Sequence, residues 1–251
     1  MTVRSFIASS LWRTRSYLWG SRRSNRMYPL YLRARRRKSL SLLCDSNTDL
    51  VVEAFPRSAN TYLVSALALA TNDALRIAHH LHDPVQLDRA ARFEKPCVVI
   101  LRNPLDAVVS WHLKRPEMDC RLMMAVYESF HAVILRHPQS PSFVSFEDVT
   151  GRTDATIKWI CEKLLADHGL EPIAADREAV FHRIDSLKQA RKKSEAASGA
   201  ASFELSVARP TEMKELAKQK AANAVKAADP DRLQRIEALY GELRSRCETI
   251  V

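Results

Sequence analysis

The chain has 251 residues, 46% hydrophobic and 27% charged, a balance that excludes disordered, collagen-like and disulfide-stapled classes. Its longest uncharged run, Ser58 to Asn72, is broken by Asn60, Thr61 and Asn72, and it falls short of the roughly 20 apolar residues a membrane span needs. The net charge of +10 is unevenly placed: residues 1–44 carry eleven Lys or Arg and no acid, so residues 45–251 are close to neutral.

That asymmetry divides the chain into a basic arm, 1–44, and one domain, 45–251. The arm holds Phe6, Trp12, Tyr17, Trp19, Tyr28 and Tyr31 among its arginines, a thin apolar face at Ile7, Leu11 and Leu18, and ends in the run Arg33 to Lys38. Three readings compete: an extension packed on its own domain, peripheral contact with an anionic membrane surface, and a targeting or nucleic-acid role. On a membrane each basic residue contributes on the order of 1 kcal/mol. No nucleic-acid partner is expected, because such enzymes spread positive charge over the fold. A chain starting at Ser39 is expected to fold, keep soluble activity and lose vesicle binding. Cys44, Cys97, Cys120, Cys161 and Cys247 are scattered without a C-x-x-C pair. They read as reduced thiols in a cytoplasmic protein.

From residue 49 the pattern is α/β. Leu50 to Phe55 is a short apolar run of strand type, followed by the turn Pro56-Arg57-Ser58-Ala59 and a helical stretch from Asn60 to Ala70. Leu75 to Ala78 is a second, shorter strand. Cys97 to Leu101 is continuous and β-branched, as a strand buried on both faces should be. Helices are predicted over about 105–113 and 121–136, then a strand at Ser142 to Phe146 and an amphipathic helix opening near Thr153 or Asp154. Residues 188–202 lack apolar period and read as a surface loop or mobile flap. The last helix has Asp229 as N-cap and Pro230 in its first turn, with Leu233, Ile236, Leu239 and Leu243 on one face. Strands alternating with helices predict a central, mostly parallel sheet flanked by helices, with a helical C-terminal part.

Two strand-to-helix junctions carry chemistry. At Phe55 to Thr61 a helix N-terminus offers free N–H groups and a positive dipole end. Arg57 adds a full charge there, and Ser58, Asn60 and Thr61 add donors. The G-x-x-x-x-G-K-[ST] fingerprint is absent. At the second junction Arg102 stands at a strand's carboxyl end, where ligands of open α/β sheets bind, and Ser110 lies two turns into the next helix.

Together these junctions resemble the cofactor motifs of the sulfotransferase family, which transfers a sulfuryl group from 3′-phosphoadenosine 5′-phosphosulfate (PAPS). Pro56-Arg57-Ser58-Ala59-Asn60-Thr61 resembles P-[K/R]-S-G-[T/N]-T. Arg102, Asn103, Pro104, Asp106 and Ser110 match R-N-P-x-D-x-x-x-S position for position, and Phe146-Glu147-Asp148-Val149 resembles Y-E-D-L. The likeness runs from about residue 49 to 170. It implies a P-loop-like fold and PAPS as sulfuryl donor without a metal. The phosphosulfate would lie in the loop Arg57, Ser58, Ala59, Asn60 and Thr61, with Arg57 on the leaving group. Arg102 and Ser110 would take the 3′-phosphate. Ala59 stands where the family usually has glycine. If that backbone needs φ > 0, alanine costs about 1–2 kcal/mol; if it is helical, alanine costs nothing.

The base in many such enzymes is a histidine ahead of the second motif. Here Ala78-His79-His80-Leu81-His82-Asp83-Pro84 occupies that stretch, and His80 is the best match, with His79, His82 or a carboxylate as alternatives. His80 and His82 are expected on one side of a strand. Lys188, Arg191, Lys192 and Lys193 read as a solvated charge run rather than a lid. The expected activity is sulfotransfer to a hydroxyl or amine of a small-molecule, carbohydrate or lipid acceptor. A P-loop-type small-molecule kinase and a non-catalytic nucleotide-binding protein are the alternatives.

Overall fold

The structure is a computed structural model that describes residues 12, 28–33, 37–196 and 212–250. Four strands, β1 (Leu50–Ala54), β2 (Ile77–His79), β3 (Cys97–Leu101) and β4 (Ser142–Ser145), form one sheet in the order β2-β1-β3-β4. Every pairing is parallel, with Val51 opposite Cys97, Val52 opposite His79 and Val98 opposite Ser142. The α/β class and the sheet flanked by helices are as the alternating pattern predicts.

Between the strands run α1 (Asn60–Ala70), α2 (Val85–Arg92), α3 (Pro104–Lys114) and α4 (Cys120–Leu135). After β4 come α5 (Phe146–Gly151), α6 (Thr153–Leu164), α7 (Arg177–Ala196), α8 (Glu212–Ala228) and α9 (Pro230–Arg244). Alternate side chains of the strands serve opposite cores, because the side-chain period of a strand is two. Leu50, Val52, Ala54, Val98 and Ile100 pack with α1, α6 and α7. Val99 and Leu101 pack with Phe55, α3, α4, α8 and α9. All five β1 residues are buried, which explains why that strand reads as an unbroken apolar run.

Local signals place the helix starts. Asn103 accepts from the Asp106 N–H, Asp119 from Arg121, Ser145 from Asp148 and Asp229 from Arg232. Each cap satisfies a donor that the first turn leaves free. Beyond α9 the chain returns to the sheet edge, where Glu248 N–H donates to Phe143 O at 2.9 Å. That contact covers part of the β4 edge.

Two expectations need correction. Residues 188–196 are helical, as the end of α7, not a loop. Lys, Arg, Glu and Ala are strong helix formers that need no apolar stripe. The remainder of that segment, 197–202, lies outside the described residues, as do the side chains of Arg191, Lys192 and Lys193. Lys188 pairs with Asp185 at 3.1 Å. Second, β2 ends at His79, so His80 and His82 are not strand neighbours. Both have left-handed backbones, at φ 60 and 52.

Much of the arm, including Ile7, Leu11, Leu18 and residues 34–36 of the basic run, lies outside the described residues. Its described parts touch the domain. Tyr28 and Leu32 are buried with Leu43, Leu81 and Val85. Trp12 packs edge-on against Trp111, ring centroids 5.0 Å apart. Among the described residues no helix is long and apolar enough to cross a membrane.

Candidate functional site

The chain leaves β1 toward β2 on one side and β3 toward β4 on the other. The crevice outside the carboxyl ends of β1 and β3 is therefore a topological switch point, where open α/β sheets bind ligands. Both motif junctions open into it.

The Phe55 to Ala59 turn is held in an unusual backbone shape. Arg57 has φ 73 and Ala59 φ 64, and Ala59 is the N-cap of α1 without a side-chain cap bond. The glycine-compatible conformation is thus imposed on alanine. Of the seven non-glycine residues with positive φ among the described residues, Asn72, Asp73 and Glu94 lie just beyond helix ends; the other four are Arg57, Ala59, His80 and His82. Left-handed residues cost of order 1–3 kcal/mol each and collect at ligand sites.

The two arginines brace each other's motif. Arg57 Nε donates to Ser110 Oγ at 3.2 Å, and Arg102 Nη1 donates to the Arg57 carbonyl at 2.5 Å. Tyr127 Oη donates to the Arg102 carbonyl at 2.8 Å, and the Arg102 guanidinium lies 4.3 Å from the Phe146 ring centroid. Neither arginine pairs with a carboxylate among the described residues. Burial lowers the pKa of both; for Arg102, Asp106 raises it and the Arg57 charge lowers it further. Two half-buried guanidiniums are thus held together, with Asp106 and Glu147 near Arg102 but no carboxylate in ion-pair contact with either arginine among the described residues.

Donors beside them lack protein partners. Ser58 is 1% exposed, and neither its Oγ nor Arg102 Nε has a hydrogen-bond partner. Buried polar groups are ordinarily satisfied, so orphaned donors beside two cations and a helix N-terminus form a cradle whose chemistry suits an anion. Asn60 serves the fold instead, donating through Nδ2 to Val52 O at 3.1 Å.

The histidine loop closes one side. His80 Nε2 stands 2.6 Å from Thr61 Oγ1, and His80 Nδ1 is in hydrogen-bond contact with His79 Nδ1. His82 Nδ1–H donates to Ala54 O at 2.7 Å. Burial lowers the His79 pKa to about 4, so that ring is neutral at pH 7. Among the described residues no group of three or more His, Cys, Asp or Glu is placed to hold a metal ion.

The structure therefore brings Arg57, Ser58, Ala59, Thr61, Arg102, Ser110 and His80 to one crevice. Sequence reasoning missed Phe146 under Arg102 and Tyr127 behind it. The first stood within a noted motif; the second had no local signal in the middle of α4. No protein-family model, curated protein or solved structure matches this chain.

Proposed function

We propose that the chain is a PAPS-dependent sulfotransferase acting on a hydroxyl or amine. The observation that carries this reading is the pair Arg57 and Arg102, without an ion-paired carboxylate and cross-braced at the switch point beside the free Ser58 hydroxyl. A ligand with two separated anionic groups suits that pair, and a bisphosphorylated adenosine carries them. The turn at Arg57, Ser58 and Thr61 and the α1 N-terminus fit the phosphosulfate; Arg102 and Ser110 fit the 3′-phosphate.

In the transfer step the acceptor oxygen forms a bond to sulfur while the bond from sulfur to the bridging oxygen breaks. That oxygen departs with the electron pair on the phosphate. Negative charge grows there, and a fixed guanidinium stabilises it more than the ground state. Thr61, by turning its hydroxyl to the donor's anionic oxygens, releases His80 Nε2 to take the acceptor's proton. Kinase chemistry is less well supported, because no Lys-Ser/Thr pair follows the turn to hold a triphosphate with Mg²⁺.

Calorimetric titration tests the assignment. Adenosine 3′,5′-bisphosphate should bind much more tightly than adenosine 5′-monophosphate or ATP with Mg²⁺. Arg102→Ala should erase most of the gap to the monophosphate, about 1.5–3 kcal/mol for a charge-assisted contact. Arg102→Lys should restore only part, since an ammonium lacks the fork. Equal affinity of the wild type for adenosine 3′,5′-bisphosphate and adenosine 5′-monophosphate would remove this reading. Incubation with sulfur-labelled PAPS and candidate acceptors then identifies the product.

A further inference from the structure

His80 is held at both ring nitrogens, with Thr61 Oγ1 at Nε2 and His79 Nδ1 at Nδ1. With both rings neutral, two proton arrangements satisfy these two contacts. In the first, Thr61 Oγ1–H donates to His80 Nε2 and His80 Nδ1–H donates to His79 Nδ1. In the second, every donor is reversed. A hydroxyl donates or accepts equally well, and a neutral imidazole can carry its proton on either nitrogen, so the two contacts by themselves allow both arrangements.

We propose that His79 is a positioning residue that accepts the His80 Nδ1–H and so leaves the Nε2 lone pair of His80 facing Thr61. The choice of arrangement rests on the sulfotransfer reading, which requires a base at His80 Nε2, while the tautomers can be read without it. A base that takes a proton at Nε2 becomes an imidazolium donating from both nitrogens. Only a lone pair on His79 Nδ1 remains compatible with that state, whereas the reversed arrangement would set two N–H groups against each other. The buried, neutral His79 ring keeps such a lone pair available. The logic is that of a nucleophile–base–orienter triad, with a second imidazole replacing the carboxylate.

The surrounding loop supports fixed geometry at His80. On its far side the Leu81 N–H donates to Glu53 Oε1 at 3.1 Å, and the Leu81 side chain is buried against Tyr28, Leu32 and Val85. His79 itself closes β2, opposite Val52. The two rings meet edge to face, centroids 4.6 Å apart.

The test reads the imidazole nitrogens directly. In the ¹⁵N-labelled full chain at neutral pH, long-range ¹H–¹⁵N correlation should show His80 protonated at Nδ1 and bare at Nε2, with His79 protonated at Nε2. The reversed pair of tautomers in the wild type would overturn the proposal. His79→Leu should shift His80 toward the Nε2–H form, while His79→Asn, whose side-chain carbonyl can accept, should keep Nδ1–H. An unchanged His80 tautomer in His79→Leu would also overturn it. In turnover, His79→Leu should lower kcat by roughly 10²-fold at unchanged KM for PAPS, and His79→Asn should recover most of the loss. Failure of bisphosphate binding would remove the sulfotransfer reading while leaving the tautomer result standing, so the two failures are distinguishable.

Discussion

Ala59 sits at φ 64 where α1 begins, and its methyl group packs only partly against the core. Ala59→Gly should raise stability by up to about 1 kcal/mol, the left-handed penalty less the entropy of a glycine in the unfolded chain. A chemical denaturation midpoint that falls instead would show that the turn is relaxed with alanine. His131 offers a second residue-scale test. It is fully buried among Phe55, Tyr127 and Phe130, with Nδ1–H donating to Tyr127 O at 2.9 Å and Nε2 without a partner. Burial lowers its pKa to about 4 against 6.5 for the free side chain. The unfolded chain therefore binds the proton first as pH falls. Stability is fully present above pH 6.5 and is lost toward pH 4, by an amount on the order of 3 kcal/mol. His79 adds a loss of the same sign. His131→Phe should flatten part of this dependence in urea titrations across that range; an unaltered slope would mean that His131 does not set it. Arg57, Arg102 and Ser110 were legible in sequence because each stands at a fixed offset from a strand end. The His79–His80 contact was not, since two adjacent histidines reveal nothing of which nitrogens meet.

At the scale of elements, the segment 28–33 and Trp12 behave as parts of the domain's packing. Leu32 is fully buried and Tyr28 nearly so, and both lie on Leu81 of the histidine loop. A chain starting at Ser39 should therefore be destabilised, against the expectation from charge alone. Removing two buried side chains costs about 1.5–3 kcal/mol each. Thermal unfolding of the shortened chain beside the full one measures this, and equal midpoints would return the segment to a dispensable arm. Strands β1 and β3 were readable because burial on both faces demands continuous apolar residues. The start of α9 was readable from Asp229 and Pro230. Helix α2 was not: Val85–Arg92 has eight residues, too few for periodicity to stand out. The end of α7 was obscured by the assumption that a helix must show an apolar stripe.

For the whole molecule, net charge and its placement were legible, but the contact between arm and body was not, because aromatic residues among arginines suit either a membrane or a protein surface. Strand order was also beyond direct reading. Nothing in two apolar runs states that β1 and β3 are neighbours, although motifs at both carboxyl ends implied a shared crevice. The all-parallel order has a kinetic consequence. Val51 pairs with Cys97, and Val98 with Ser142, so each central pairing must close a long loop before it gains a contact. Such topologies fold slowly. Arg57 and Arg102 approach only when β1 and β3 are joined, and bringing two like charges together opposes that step. An anion in the cradle relieves the repulsion only after the sheet exists. Its stabilisation should consequently appear as slower unfolding rather than faster folding, making ligand supply a determinant of how long each folded molecule persists.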